Sequence, residues 1–314
     1  MTERNYDPDF KDLIAMLPTV ADFSTVEKVQ AAREARYEMF AQVPPPRDDV
    51  VVEDHMVPGP EGAPEVAIRV YRPKAAATEP RPCVFEIHGG GFLTGTLEMM
   101  DPWCQRVCGE LGAIVVSTDY RLAPEDPFPA GVEDCYAALA WTANQAEALG
   151  FDPERLAIAG QSAGGGLAAA CVLMARDRGG PKLCFQLLEI PELDDRLETP
   201  SMKQFTDTPL WNRPNAEWSW RHYLGPDHKG EVSPYAAPSR ETDLTGLPPA
   251  YVSTMEYDPL RDEGILYALG MMQAGVSVEL HAYAGTFHGS ALLPKADASK
   301  RNAEEVLAVL ARKV

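Results

Sequence analysis

Short apolar runs alternate with helical patterns over most of this chain. The apolar runs are CVFEIHGG (83–90), AIVVSTDY (113–120), RLAIAG (155–160), KLCFQLLEI (182–190), AYVSTME (250–256) and SVELHAY (277–283). The segments between the earlier runs, and the last segment at 298–313, space their apolar residues as helices do. Strands and helices in this alternation predict parallel βαβ units. We therefore expect an α/β protein with a central, mostly parallel sheet and helices on both of its faces.

Two earlier apolar runs predict a different kind of strand pair. DVVVEDHMV (49–57) and EVAIRVYRP (65–73) are separated by the turn-like PGPEGAP. A short connection rich in proline and glycine joins antiparallel neighbours, whereas parallel strands need a longer crossover. We expect this pair to lie at one edge of the sheet.

Two regions interrupt the alternation. Residues 9–43 carry two helical patterns and lead into the proline-rich joint PPPR. Residues 193–230 separate two predicted strands and are rich in tryptophan, proline and polar residues. Long insertions of this kind commonly cover a functional site, so we expect residues 193–230 to form a lid.

The stretch GQSAGGG (160–166) follows a predicted buried strand and opens a helical pattern. Gly-x-Ser-x-Gly between strand and helix is typical of a nucleophile elbow, in which small flanking residues permit a sharp, strained turn at the serine. Gly160 and Gly164 are these small residues, and the N–H of Ala163 lies at the helix N-terminus, where partial positive charge collects. The pattern predicts Ser162 as a nucleophile. The alternatives are a glycine-rich packing turn and a phosphate-binding loop, and the stretch lacks the spacing and the lysine of the second.

A serine nucleophile requires a base and an acid that orients the base. In a doubly wound hydrolase the acid and then the histidine follow the serine, each after a later strand. DPLRDEG offers Asp258 after AYVSTME, and FHG offers His288 after SVELHAY. Because open parallel sheets place their sites at the carboxyl ends of the strands, we expect Ser162, Asp258 and His288 to meet there.

Two other acids and one other histidine compete for these roles. Asp262 and Glu263 lie one helical turn beyond Asp258. DPLRDEG predicts a helix with Asp258 as its N-cap and proline as its first residue, which leaves the two later acids inside the helix. His281 falls within a strand pattern, which indicates a packing role.

The stretch HGGGF (88–92) predicts the third part of such a site. A strand that ends in three glycines lets backbone N–H groups approach a substrate oxygen without an intervening Cβ, and these groups have no strand partner. Such donors stabilise the oxyanion that forms when an acyl carbonyl becomes tetrahedral. The alternative is a glycine turn without a catalytic role.

Metal chemistry finds little support in the sequence. Cys104 and Cys108 could share a helix face, but no second pair of ligands stands nearby, so we expect buried thiols rather than a metal site. His222 and His228 lie in the lid region, and we expect them to be solvated rather than metal ligands. No metal ion is expected.

Composition and charge narrow the classes of partner. Of the residues, 45% are hydrophobic and 24% charged, and the formal net charge is −19. Such a surface repels nucleic acid and anionic lipid, so we expect neither as a partner, and no apolar run is long enough to span a membrane. The amino-terminal stretch has no apolar core of a secretory signal, and the six cysteines do not suggest a disulfide framework. We expect a cytoplasmic protein.

Taken together, these motifs resemble those of the bacterial hormone-sensitive lipase family of α/β-hydrolase esterases. The matching stretches are HGGGF, DYRLAPEDPFPAGVEDCYAAL, GQSAGGGLA, DPLRDEG and FHG, in the family's order. The resemblance implies an α/β-hydrolase fold with an eight-stranded sheet. It also implies a helical cap made of residues 1–46 and the insertion 193–230, over a catalytic core of residues 47–192 and 231–314.

The resemblance also assigns roles. It implies Ser162 as nucleophile, His288 as general base and acid, and Asp258 as the residue that supports the imidazolium. The oxyanion donors would be the N–H groups of Gly90, Gly91 and Ala163, with His88 a structural residue behind them. The family uses no cofactor, and pairing through the last strand and helix implies a homodimer. Family members commonly carry aspartate or threonine before the serine, where this chain has Gln161.

The expected activity is that of a serine carboxylesterase acting on small esters of short to medium acyl chain. Phe92, Trp211 and Trp218 are expected to line the substrate pocket, although the cap tryptophans could equally form the underside of a lid helix, together with Trp220 and Tyr223. An amidase or lactonase would use the same triad. A non-catalytic receptor for small ligands can have the same fold, but such receptors typically lose the histidine.

Overall fold

The computed structural model of the protein describes residues 4–15, 17, 21–40 and 47–314. Its strands are β1 (Val50–Val57), β2 (Val66–Pro73), β3 (Arg81–Ile87), β4 (Ile114–Asp119), β5 (Phe151–Gln161), β6 (Phe185–Glu189), β7 (Ala250–Tyr257) and β8 (Val278–Phe287). Its α-helices are α1 (Lys11–Ile14), α2 (Val26–Phe40), α3 (Leu97–Leu111), α4 (Ala130–Asn144), α5 (Ala146–Leu149), α6 (Ala163–Arg178), α7 (Pro200–Gln204), α8 (Arg213–Leu224), α9 (Arg261–Gln273) and α10 (Asp297–Lys313).

The strands form one eight-stranded sheet in the order β1-β2-β4-β3-β5-β6-β7-β8. β1 pairs antiparallel with β2, and β2 antiparallel with β4, whereas all later neighbours are parallel. The predicted α/β class, the mostly parallel sheet and the antiparallel pair at its edge are confirmed. This order puts β3 and β5 side by side, so the loops that follow them meet at one edge of the sheet.

Alternation along β3 and β5 explains why helices cover both faces. In β3, Cys83, Phe85 and Ile87 belong to one apolar cluster, and Val84 belongs to another. The first cluster also contains residues of α4, α6 and α9, and the second contains residues of α3 and α10. Successive side chains of a strand point to opposite faces, so an almost wholly apolar strand must be covered on both sides.

The two regions predicted to form a cap both contain helices, and the division into cap and core stays a prediction. α2 comes from the N-terminal segment, and α7 and α8 come from the insertion. Phe23, Met202, Trp211 and Ala216 of these segments share one apolar cluster with core residues such as Leu93. The proline-rich joint at 44–46 lies outside the described residues.

Three elements differ in length from their sequence patterns. The helical pattern at 131–150 is divided at Gln145 into α4 and α5. β5 begins at Phe151, before the apolar run, and β8 continues to Phe287, so that His288 follows directly on a strand. At the end of a strand, hydrogen bonds to a neighbouring strand can outweigh the β-propensity of the residues, so the strand can extend beyond its apolar run.

Two further observations concern the cysteines and the helices. Within the described residues all six cysteines are free, and all but Cys184 are buried. Among the same residues, no helix combines the length and the apolar character that a membrane span requires.

Candidate active site

The turn between β5 and α6 presents Ser162 in a strained conformation. Ser162 has φ of 57° and ψ of −123°, a left-handed region that non-glycine residues rarely occupy. Its flanking glycines are required by close packing: a Cβ on Gly160 would lie 2.2 Å from the Gly164 carbonyl oxygen, and a Cβ on Gly164 would lie 2.0 Å from that of Ile87. The Ser162 N–H donates to the Glu189 carbonyl at 2.9 Å, which ties the turn to β6.

Ser162, His288 and Asp258 form one hydrogen-bonded chain. Ser162 Oγ lies 2.9 Å from His288 Nε2, and His288 Nδ1 lies 2.8 Å from Asp258 Oδ2. A carboxylate can only accept, so Nδ1 carries the proton and Nε2 is free to accept the serine proton. Asp258 is fully buried, and Ser162 and His288 are only 8% and 7% exposed. These two contacts among three residues fit a catalytic triad.

The competing acids have other partners. Asp262 Oδ2 accepts from the Ser201 N–H at 2.7 Å, which fixes α7 of the cap to the first turn of α9. Glu263 Oε1 accepts from the Leu193 N–H at 2.6 Å, in the loop after β6. Only Asp258 among the three acids contacts His288 in the described structure.

The predicted helix start at Asp258 is wrong by two residues. α9 begins at Arg261 with Leu260 as its N-cap, so Pro259 lies in the preceding turn. Asp258 Oδ1 accepts from the Leu260 N–H at 2.9 Å. This side-chain turn competes with a helical start, and it leaves Oδ2 free for His288.

The remaining histidines do not join the triad. His281 is an exposed residue of β8 whose ring stacks on Tyr283 at 4.0 Å between ring centroids, which agrees with a packing role. His222 was expected to be solvated, and this is wrong: it is only 9% exposed, and its Nε2 lies 2.8 Å from the Phe23 carbonyl oxygen. The bond joins α8 to the N-terminal segment of the cap, a contact that no local pattern could predict.

The segment His88–Gly95, here called the glycine loop, follows β3 and lies against the elbow. A Cβ on Gly89 would lie 2.7 Å from the Gln161 carbonyl oxygen and 3.4 Å from Ser162 Cβ. Among the described residues, neither Gly90 nor Gly91 donates its N–H to a backbone carbonyl. Ala163 is the first residue of α6, so its N–H has no partner within that helix.

Hydrogen bonds on the carbonyl side fix the orientation of these N–H groups. A peptide unit is planar and trans, so its C=O and the following N–H point in opposite directions. His88 Nδ1 lies 2.9 Å from the Gly89 carbonyl oxygen, which belongs to the same peptide as the Gly90 N–H. Thr94 donates to the Gly90 carbonyl from its N–H and from its hydroxyl, both at 3.0 Å, and that peptide carries the Gly91 N–H. Hydrogen bonds to the Gly89 and Gly90 carbonyl oxygens therefore fix the glycine loop on the side opposite the two N–H groups.

His88 is itself held in place by Tyr120. Their rings stack with centroids 4.3 Å apart, and the Tyr120 hydroxyl donates to the His88 carbonyl at 3.0 Å. His88 is fully buried. These contacts agree with a structural role for His88.

The three aromatic residues expected in the pocket have different surroundings. Trp211 is 3% exposed; its ring centroid lies 5.8 Å from that of His288, and its Cη2 lies against Gly91. Phe92 stacks on Tyr223 at 3.9 Å between centroids. Trp218 lies within α8, and its ring stacks on His222. It lines a cleft together with Ala21, Asp22, Ser24 and Pro214. The structure thus brings Trp211, but not Trp218, to the glycine loop, of which Phe92 is itself a residue.

The burial of four glutamates was missed by sequence reasoning. Burial raises the pKa of Glu86 to about 7, that of Glu189 to about 7 and that of Glu192 to about 8, and it raises the pKa of Glu263 well above the ordinary value. The sequence signal was an acid inside or directly after an apolar run, as in CVFEI and FQLLEIPE. Charged residues are rarely fully buried unless they are paired or neutral.

Gln161 has one of these glutamates as its partner. Its Nε2 donates to Glu189 Oε2 at 3.1 Å, and Asn302 of α10 donates to the other oxygen at 3.2 Å. The backbone carbonyl of Glu189 accepts from Ser162. Gln161 and Asn302 therefore meet at Glu189, which links the elbow to β6 and α10.

Within the described residues, no group of three or more histidine, cysteine, aspartate or glutamate side chains could hold a metal ion. Cys104 and Cys108 are buried residues of α3 and belong to the apolar cluster between this helix and the sheet. Their contacts are those of core residues.

Comparisons with known proteins agree with this geometry. A model of the alpha/beta hydrolase fold family matches residues 84–292. Carboxylesterase NlhH of Mycobacterium tuberculosis is 40% identical over 286 residues, which is 90% of this chain and 88% of NlhH.

Solved structures extend the likeness to the cap. A bacterial heroin esterase superimposes with a TM-score of 0.93 at 54% identity, over 98% of each chain. Esterase LipW from Mycobacterium marinum superimposes with a TM-score of 0.88 at 38% identity, over 98% of this chain and 96% of that chain. Identities of this size over nearly whole chains indicate common descent of core and cap together.

Proposed function

Since this chain belongs to the alpha/beta hydrolase family, we propose that it is a serine carboxylesterase that hydrolyses small carboxylic esters through an acyl-enzyme. The observation that carries the proposal is the chain of contacts from Ser162 through His288 to Asp258. Relatives named carboxylesterase and esterase, similar over most of the chain, support the same reaction.

Each residue has a defined role in this reaction. His288 Nε2 accepts the Ser162 proton as Oγ attacks the acyl carbonyl, and Asp258 stabilises the imidazolium that forms. His288 then donates this proton to the departing alkoxide, which leaves an acyl-Ser162 ester. Water, deprotonated by His288, attacks that ester, and His288 returns the proton to Ser162 Oγ as the acid leaves.

The N–H groups of Gly90, Gly91 and Ala163 are proposed to hold the oxyanion. The support is geometric: the glycine loop lies against Ser162, and its carbonyls are anchored on the opposite side. Donors that are fixed before the reaction need no reorganisation when charge develops, which is the main reason for their catalytic effect.

The position of Trp211 supports the proposed preference for short to medium acyl chains. Trp211 is buried between Gly91 and His288, where a long chain would need space. Phe92 is only 2% exposed, and its ring packs against Trp220 of α8. We assign Trp211 to the substrate pocket, and the assignments of Phe92 and Trp218 stay predictions.

Hydrolysis of p-nitrophenyl esters from acetate to palmitate tests the proposal. The native protein should favour the shorter esters, and Ser162→Ala should lose about 10³-fold or more of kcat/KM. Ser277→Ala, at an exposed position before β8, is the matched control and should retain native rates. Equal, low rates for the native protein and Ser162→Ala would refute the esterase. An ester and its matched anilide measured side by side would separate esterase from amidase.

A homodimer through the last strand and the last helix, β8 and α10, is proposed as well. β8 is an edge strand, and Leu280 on it is 37% exposed. Light scattering of the native protein and of Leu280→Lys would show a dimer that the variant weakens. The cytoplasmic location stays a prediction.

A further inference from the structure

The residues that precede Asp258 and His288 are partners across the sheet. Tyr257 is the last residue of β7 and Phe287 is the last residue of β8, and the two lie opposite each other in the β7–β8 ladder. Asp258 and His288 follow them directly. The positions of these two side chains therefore depend on how the ends of β7 and β8 are held together.

The pairing of β7 and β8 is irregular just before these ends. Between two paired positions β7 advances from Met255 to Tyr257, whereas β8 advances from Tyr283 to Phe287. The extra residues of β8, among them Gly285, form a bulge. A bulge interrupts the ladder of hydrogen bonds between two strands. The ladder alone therefore constrains the end of β8 less than it constrains the end of a regular strand.

Residues 4–10, here called the 4–10 segment, lie against this bulge. The Asp7 N–H donates to the Gly285 carbonyl at 2.8 Å, and a Cβ on Gly285 would lie only 2.9 Å from the Asp7 nitrogen. On the other side, Glu256 Oε2 of β7 accepts from the Gly285 N–H at 2.6 Å. Both polar backbone groups of Gly285 thus have partners, and one partner comes from the 4–10 segment.

Two aromatic rings of the 4–10 segment pack on the strand ends. The Tyr6 ring meets Tyr257 and Phe287 edge-on, with 4.9 Å and 5.7 Å between ring centroids. Phe10 is fully buried and meets Phe287 edge-on at 5.3 Å between centroids. Edge-to-face contacts are a favoured arrangement of aromatic rings. The single side chain of Tyr6 therefore contacts the residue before the acid and the residue before the histidine.

The two ends of the 4–10 segment are fixed to other parts of the protein. Arg4 forms an ion pair with Asp207 of the insertion. Asp9 Oδ2 accepts from the N–H of Asp297, the first residue of α10, at 3.0 Å. The segment therefore connects the insertion, the ends of β7 and β8, and the start of α10.

We propose that the 4–10 segment is a positioning element that holds the ends of β7 and β8 together, so that His288 stays aligned between Asp258 and Ser162. The proposal rests on the proposed function, because it gives these three residues their catalytic roles. Within the described residues, the segment contacts none of the three triad side chains, so its members are positioning residues. A small displacement of a catalytic group lowers turnover strongly. The segment should therefore affect kcat more than KM.

Variants of Tyr6 test the aromatic contacts, with kcat and KM measured on p-nitrophenyl acetate. Tyr6→Ala removes the ring that contacts both strand ends, and kcat should fall about tenfold with little change in KM. Tyr6→Phe keeps the ring and should retain most of the native kcat. Tyr37→Ala is the matched control, because Tyr37 of α2 is 60% exposed. Native kcat in a folded Tyr6→Ala protein would overturn the proposal.

Variants of Asp7 test the hydrogen bond to the bulge. Asp7 has φ of −54°, which proline can adopt. Asp7→Pro removes the N–H that binds the Gly285 carbonyl, whereas Asp7→Ala removes only the side chain. The kcat should fall about tenfold in Asp7→Pro and much less in Asp7→Ala. Equal kcat values in the two variants would overturn the proposal, and this pair decides if Tyr6→Ala fails to fold. Thermal unfolding of each variant checks that it is folded.

A measurement that does not depend on turnover separates this proposal from the proposed function. The His288 Nδ1 proton, when held by Asp258, gives a low-field NMR resonance, and its absence from Asp258→Ala identifies it. The resonance should persist in Tyr6→Phe and disappear in Tyr6→Ala through exchange with water. A native resonance in Tyr6→Ala would overturn the positioning role, even if Ser162→Ala shows that the esterase stands. If the native protein hydrolyses no ester, the proposed function fails, and the resonance still tests the segment.

Discussion

Trp211 of the cap lies so close to Gly91 of the glycine loop that no side chain fits between them. A Cβ on Gly91 would lie 2.3 Å from Trp211 Cη2, and Gly91 also has φ of +62°. Both the contact and the conformation exclude a larger residue. Trp211 of the cap is therefore in direct contact with the loop that carries the proposed oxyanion donors.

Gly91→Ala should lower kcat by about 10² or more, because the loop must shift away from Trp211 and lose the alignment of its N–H group. Steady-state rates on p-nitrophenyl acetate measure the change. Gly62→Ala is the control: Gly62 has φ of +79°, but a Cβ there meets nothing within 4 Å. Trp211→Ala in the Gly91→Ala background removes the clash and should recover part of the loss. A Gly91→Ala enzyme with native kcat would exclude Gly91 as a donor.

Thr94→Val should lower kcat about fivefold to tenfold with little effect on KM. The valine keeps the shape and the backbone donor but removes the hydroxyl that binds the Gly90 carbonyl, so the Gly91 N–H is less well fixed. Thr245→Val, which removes an exposed hydroxyl bonded to Asp243, serves as control. An equal fall in both variants would speak against a specific role for Thr94.

Gln161→Glu should destabilise the protein more at pH 8.5 than at pH 6. The new carboxyl group would face Glu189, whose pKa burial raises to about 7, and the two groups can share a proton only in mild acid. Gln161→Met removes the donor without adding charge, so its loss of stability should depend less on pH. Melting temperatures of the two variants at both pH values decide, and parallel curves would contradict the argument.

The native protein should be more stable at pH 5.5 than at pH 8. In the unfolded chain a glutamate titrates near 4.5, whereas folded Glu86 and Glu189 titrate at about 7 and Glu192 at about 8. Between these values the folded state binds more protons than the unfolded state, so the free energy of unfolding falls as the pH rises. The net charge of −19 acts in the same direction.

Glu86→Gln tests the cause of this pH dependence. Ser117 donates to Glu86 at 2.6 Å, and an amide can accept that bond without titrating. The melting temperature of the variant should fall less steeply between pH 5.5 and pH 8 than that of the native protein. An identical slope would show that repulsion at the surface, and not the buried acids, sets the pH dependence.

The sequence was sufficient to predict the parts of the site that depend on local geometry. Ser162 requires a particular strand-turn-helix conformation, and that requirement appears as glycines at fixed positions. Asp258 and His288 follow strands of a parallel sheet, whose order along the chain restricts where they lie. The fold class and the antiparallel pair at the sheet edge could be predicted for the same reason. Hydrophobic periodicity and the length of a connection are both properties of the local sequence.

The contacts of the cap could not be predicted, because they depend on how segments distant in sequence pack. Trp211 and Trp218 look alike in the sequence, but only Trp211 reaches the glycine loop. The hydrogen bond from Ser219 of α8 to the Gly91 carbonyl gave no signal, since a serine within a helix usually faces solvent. Glu192 was missed because charge normally indicates a surface, and burial is known only when the whole fold is present.

The position of Trp211 against Gly91 also limits how this protein can adapt to new molecules. A mutation that enlarges the pocket at Trp211 removes the wall that presses on the glycine loop. Selection for hydrolysis of bulkier acyl groups would then weaken the packing of the same loop that determines kcat. In laboratory evolution, a wider range of substrates should therefore be accompanied by a lower kcat. Compensating changes would be expected in α8, where a second contact with the loop could replace the first.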